Sequence, residues 1–288
     1  MQLEIILIKT LKKLKLLKFF NFNLSRIYNS IKVKIPFLFG MGIENIMINS
    51  DWLDTFLKIE DIREGAVIDV GVNIGQTLIR IKTKYPDIIY FGFEPNLYCC
   101  FYSNNLIEKN NWRNCFIMPY ALTDENKLLT FEKTSVSDAR ASVIKNLRPD
   151  FFKIKQTVQG IKYDTIHRDI KISFVKIDVE GGELETIKGM LDSLREYRPY
   201  VVCEVLDSHN TEVLDFTISR ANELKNIVIS LSYSIIKLYT DNRKIIQFEE
   251  ITDFKIKQWT NESLHTNDYF FVPNEKKDLV LKFLNSQL

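Results

Sequence analysis

From about residue 66 onward, short apolar runs alternate with helical patterns, and this alternation commits the chain to an α/β domain with a mostly parallel sheet covered on both faces. The runs read as strands at AVIDVG (66–71), IIYFGFE (88–94), CFIMPYAL (115–122), FVKIDVE (174–180) and YVVCEV (200–205). Helices are predicted over 74–84, 96–109 and 182–195. The gap after the third run differs from the others. It holds two strand-like pieces, KLLTFEK and TVQGIKYDTI, around a polar stretch, TSVSDARASVIKNLRPD, that reads as a flexible segment or lid. Downstream come a helix near 211–225, a hairpin of YSIIKLYT and KIIQFEE turning at Asp241-Asn242, the strand DYFFVP and a closing helix.

In open parallel sheets ligands bind beyond the carboxyl ends of the strands, so the residues closing each run matter most. Here they are acidic. The first run ends in Asp69-Val70-Gly71, and the following helix starts near Ile74-Gly75, giving the spacing D-x-G-x-x-x-G; the glycines allow a tight turn and close approach of backbone to ligand. The second run ends in Glu94-Pro95, about twenty residues past the turn, where a carboxylate can accept hydrogen bonds from two ribose hydroxyls. A dinucleotide fingerprint would need glycines at 69, 71 and 74, and the chain has Asp69, Gly71 and Ile74. A carboxylate at the turn repels a pyrophosphate and favours the ammonium and sulfonium of S-adenosylmethionine. The fourth run adds Asp178 and Glu180, and the fifth Glu204. Carboxylates inside apolar runs call for a ligand, a metal or hydrogen-bonded loops. Asp178 is the first candidate for a base that takes the acceptor's proton, Glu204 the second and His209 a third. An oxygen-rich Mg²⁺ site around Asp178 and Glu204 is conceivable, but no dedicated ligand motif marks one, so no metal is assigned.

Taken together these residues resemble the FkbM-type methyltransferases. DVGVNIGQT is similar to that family's DVGANxG turn, FGFEPN to its FEPN strand end, YALTD to its A-L signature, and VKIDVEGGELETIKGM to its KIDVEGxE block, over about residues 60–273. Val72 stands where Ala is usual, and Gly-Gly-Glu where Gly-Ala-Glu is usual. The resemblance implies a Rossmann-like class I fold: a mostly parallel seven-stranded sheet with an antiparallel edge strand and helices on both faces. It also implies that Asp69, Gly71, Asn73 and Gly75 shape the methionine end of the donor pocket, that Glu94 holds the ribose, and that Pro95 and Ala121 line the adenine. The implied reaction is methyl transfer to a hydroxyl of a sugar, polysaccharide precursor or related natural product. The rivals are a nicotinamide-dependent oxidoreductase and a catalytically silent scaffold that keeps the donor fold.

The net charge of +2 is uneven: residues 1–36 carry eight basic residues and one acid, so the remainder is net acidic, which disfavours nucleic acid as a partner. We therefore expect a basic helical extension over 1–60 and a methyltransferase domain over 61–288. Leucines at 7, 11, 14 and 17 with lysines between them suit either peripheral contact with an anionic membrane or packing on the chain's own domain or a second subunit, as in a homodimer. Lysines interrupt every apolar run there, so neither a signal peptide nor a membrane span is expected. The four cysteines lack the spacing of a disulfide or zinc framework. The expectation is a cytoplasmic enzyme, with the inner membrane face as an alternative site of action.

Overall fold

The computed structural model describes residues 21–38, 40–48, 51–134, 141–144, 154–166 and 170–288. Its strands are β1 (Phe22–Tyr28), β2 (Ile31–Phe37), β3 (Ala66–Val70), β4 (Tyr90–Phe93), β5 (Cys115–Met118), β6 (Ala121–Leu122), β7 (Lys127–Lys133), β8 (Ile154–Ile161), β9 (Ile172–Ile177), β10 (Tyr200–Glu204), β11 (Tyr233–Asp241), β12 (Lys244–Ile251) and β13 (Asp268–Pro273). An eight-stranded sheet has the order β12-β11-β13-β10-β9-β3-β4-β5. The stretch from β10 to β5 is all parallel. The expected seven-stranded sheet is thus enlarged by β12, and its antiparallel strand is not at the edge. β13 runs antiparallel between β10 and β11, and β12 closes the edge as a second antiparallel strand.

Side chains alternate between two cores, one on each face, as the period of two along a strand demands. Val67, Tyr90, Phe174, Tyr200, Val202 and Phe270 face the core shared with helices Gln76–Lys84, Leu97–Asn110 and Lys277–Asn285. Ile68, Phe91, Val175, Val201, Cys203 and Phe271 face helices Glu183–Gly189, Leu191–Tyr197 and Leu214–Ser230. Asp69 and Lys176 therefore point to the first face, paired across β3 and β9 in register.

Several boundaries differ from the sequence reading, each for a local reason. The run 115–122 is not one strand: Pro119 has no N–H for the ladder, β5 stops at Met118, and β6 joins β8 and β7 in a separate three-stranded sheet. β9 ends at Ile177; the Asp178 N–H still donates to the Val70 carbonyl at 3.0 Å, and then Glu180 and Gly181 turn the chain through positive φ (56° and 107°). The helix predicted over 182–195 is split by Met190, whose φ of −118° leaves the helical range. The hairpin after β11 turns on Asn242-Arg243, both at positive φ (46° and 66°), one residue later than expected. Residues 22–37 form the antiparallel hairpin β1–β2 and not part of a helical extension. Val33, Ile35 and Phe37 are fully buried in the first-face core, and the Asn110 side chain bonds both the N–H (2.7 Å) and the carbonyl (2.8 Å) of Lys34. The basic segment 1–20 and most of the expected lid lie outside the described residues.

Candidate active site

β3 delivers the chain to Gly71, whose φ of 86° suits a residue without a side chain. A Cβ there would come within 1.9 Å of the Asp178 carbonyl oxygen, so the turn after β3 and the loop after β9 are packed backbone to backbone. Asn73 (φ 49°) and Gly75 (φ 78°) complete the turn into helix Gln76–Lys84. β4 delivers Glu94, whose Oε2 accepts the Asn73 N–H and whose Oε1 accepts the Asn96 N–H, both at 2.8 Å. The Asn96 side chain in turn caps helix Leu97–Asn110 by accepting the Tyr98 N–H at 3.2 Å. Burial pushes the Glu94 pKa up to about 7 although those two amides pull it down. Each carboxylate oxygen keeps a second lone pair, so Glu94 can still accept from ligand hydroxyls.

On the next strands charge is organised around Lys176. Its Nζ lies 3.5 Å from Asp69 Oδ1 and 3.2 Å from Asp178 Oδ2, and it donates to the Gly71 carbonyl at 3.1 Å. Burial pulls the lysine pKa down, but Asp178 and Asp69 more than reverse this, leaving it raised. Asp69 is fully buried and also accepts the Tyr90 hydroxyl. Burial pushes its pKa up, with Lys176 and Tyr90 pulling back. Beyond lies a cluster of acids. Burial, then Asp178, Glu180 and Asp268, push Glu204 well above the usual carboxylate range, and Glu204 hydrogen-bonds Asp178. Burial and Asp178 likewise lift Asp268 to about 7. Asp178, 45% exposed and paired with Lys176, faces the cleft beside Glu204.

A cleft of about 730 Å³ runs over these strand ends. Of the residues named from the sequence, Gly71, Asn73, Glu94, Pro95, Ala121, Asp178 and Glu204 line it. Asp69, Gly75 and His209 are not in its wall. Asp69 lies beneath the turn as the counter-ion of Lys176, the space for a Cβ at Gly75 faces Leu106 and Ser103 of the neighbouring helix, and His209 is exposed on the loop after β10. Lys176 and Asp268 are wall residues that the sequence reading did not single out. Among the described residues, Asp178, Glu180 and Glu204 bring carboxylate oxygens within 4.8 Å of one another. Such a set suits a hard divalent cation or the positive groups of an organic ligand equally well.

Residues 69–257 match the methyltransferase FkbM domain. The chain is similar to hexuronic acid methyltransferase AglP of Haloferax volcanii, 28% identical over 152 residues, which make up 52% of this chain and 59% of that protein. The match thus spans less than two thirds of that curated relative. Among solved structures, methyltransferase FkbM from Methylobacillus flagellatus KT superposes with a TM-score of 0.43 at 17% identity, over 72% of this chain and 43% of that one. An O-methyltransferase from Bacillus cereus, crystallised with S-adenosylhomocysteine (SAH), gives 0.42 at 11% identity over 76% and 79%. These structural likenesses are distant, and no ligand or reaction is transferred from them. The family match covers more than half of the chain, and the chain belongs to the FkbM methyltransferase family.

Proposed function

We propose that this FkbM-family chain transfers the methyl group of S-adenosylmethionine to a hydroxyl of a sugar, polysaccharide precursor or related natural product. The observation that carries the donor assignment is Glu94, fixed by two amides at the end of β4 beside the Gly71 turn, with Asp178, Glu204 and Asp268 along the same rim. Acids crowded enough to raise one another's pKa gain stability from a cation and lose it beside a diphosphate. The glycines of a dinucleotide loop are missing at 69 and 74.

In the reaction so assigned, the acceptor oxygen forms a bond to the methyl carbon as the carbon–sulfur bond breaks, and the sulfonium becomes a neutral thioether. Asp178 accepts the acceptor's proton. Lys176 holds that carboxylate in place from behind, and Glu204 hydrogen-bonds it from the side. A hydroxyl acceptor fits the rim better than a carboxylate, because sugar hydroxyls donate to acids that would repel an anion. The carbohydrate class draws support from the likeness to AglP, a hexuronic acid methyltransferase.

Calorimetry with SAH against NAD tests the donor: SAH should bind and NAD should not, and the reverse result refutes the assignment. Methyl transfer from labelled donor onto simple glycosides then tests the acceptor class. Among the described residues no helix is long and apolar enough to cross a membrane. Peripheral membrane contact through segment 1–20 is part of this proposal, and loss of liposome flotation on its removal would support it.

A further inference from the structure

One part of the cleft wall precedes the span that matches the family: Met47, Asp51 and Trp52 face the same cavity as Asp178 and Glu204. Fold and donor pocket are common property of a family, whereas acceptor choice is made by what each chain adds around them. The addition is held firmly here. Arg80 of helix Gln76–Lys84, its side chain only 8% exposed, donates to Asp51 Oδ2 at 2.6 Å and to Asp54 Oδ2 at 2.7 Å. The Leu53 N–H donates to Asp51 Oδ1 and the Asp51 N–H to Asp54 Oδ2, both at 3.0 Å. Trp52 packs edge-on against Phe56 (centroids 5.9 Å apart, planes at 80°), and Phe56 in turn rests on Phe270 of β13 at 4.2 Å. The indole is therefore braced from the sheet side while it lines the cleft. Each Asp51 oxygen accepts one of these hydrogen bonds and retains a further lone pair.

We propose that Trp52 and Asp51 form the acceptor-selecting platform of this site, the apolar face of a pyranose ring resting on the indole while a ring hydroxyl donates to Asp51. The ring's C–H face meets the electron-rich face of the indole, and its hydroxyls meet the acids around it. A flat apolar acceptor would instead cover the remaining lone pairs of Asp51 and offer them no donor. The proposal rests on the methyl-transfer reading given above, and the experiment separates the two.

The test titrates the full chain, saturated with SAH, with the methyl glycosides of glucose, galactose, mannose and glucuronic acid, and with anisole as a flat comparison that has no hydroxyl donor. At least one glycoside should bind and anisole should not. Trp52→Ala should weaken that glycoside about tenfold or more, and Trp52→Phe should recover most of the loss. SAH affinity should stay within about twofold of wild type in both variants, a readout that general damage to the fold would move. Equal glycoside affinity in wild type and Trp52→Ala, a preference for anisole, or no glycoside bound by an SAH-saturated protein would each overturn the platform. Failure of SAH itself to bind would strike the donor reading first and the platform with it.

Discussion

The two halves of the cleft are built by different means. The half we assign to the donor is mostly backbone: a glycine turn, a strand end and two amides that fix one carboxylate, all within residues 69–96. The half we assign to the acceptor is mostly side chains carried by segments far apart in the chain, namely Trp52, Arg80, Lys176, Glu204 and Asp268. Backbone geometry tolerates many neighbouring sequences, so the donor half suits a ligand shared across a family. Side chains from distant segments can be exchanged without rebuilding the glycine turn, so the proposed acceptor half is where specificity can diverge.

Substitutions on either side sharpen this contrast. The largest effect on turnover is expected for Asp178→Asn in the acceptor half: kcat should fall roughly 10²- to 10⁴-fold with SAH affinity retained, measured by methyl transfer and calorimetry. Unchanged turnover would remove Asp178 from the chemistry. Lys176→Met reaches both halves, because it leaves Asp69 buried with Tyr90 alone and frees the Gly71 carbonyl. Urea denaturation should show a loss of about 3–5 kcal/mol, the cost of breaking a buried ion pair by removing one partner. A loss under 1 kcal/mol, about that of an exposed pair, would mean that the lysine is not the counter-ion we describe. Glu94→Gln acts within the donor half. An amide turns its own N–H groups toward one of two backbone donors, so SAH should bind more weakly by about 2 kcal/mol, roughly thirtyfold.

The smallest effect is with pH. Glu94 carries a proton below about pH 7 in the ligand-free protein and must shed it to accept ribose hydroxyls. SAH affinity should therefore fall about tenfold from pH 8 to pH 6, and Glu94→Gln should flatten that slope. Stability of the ligand-free protein runs the other way. The folded pKa lies above the unfolded value of 4.5, so the Glu94 contribution is fully present below that value and is lost as pH rises through about 7. Thermal melts of the free protein should drop toward pH 8, and SAH should protect more there than at pH 6.

The donor half was legible in the sequence because its parts are contiguous: D-x-G-x-x-x-G and FEPN each report a complete strand-to-helix turn. Asp69 was read as touching ligand, but a strand's inward position is set by its neighbours, and β9 supplies Lys176 directly opposite. That lysine did leave a signal, since a cation in the middle of an otherwise apolar parallel strand demands a partner. Asp268 left none. Its place beside Glu204 depends on β13 inserting between β10 and β11, a long-range pairing that no local pattern encodes. The β1–β2 hairpin was missed for a different reason: the lysines of the N-terminal region drew attention, while the alternation of Phe22, Leu24, Val33 and Ile35 with polar residues was there to be read.

The insertion of β13 also sets an order of assembly during synthesis. Until residues 268–273 have left the ribosome, β10 and β11 have no partner between them, and the emerging protein presents two bare strand edges rich in Val, Ile and Tyr. The Glu204–Asp268 pairing cannot form before that moment, so a chain halted short of β13 lacks the complete acid cluster and carries two edges open to aggregation.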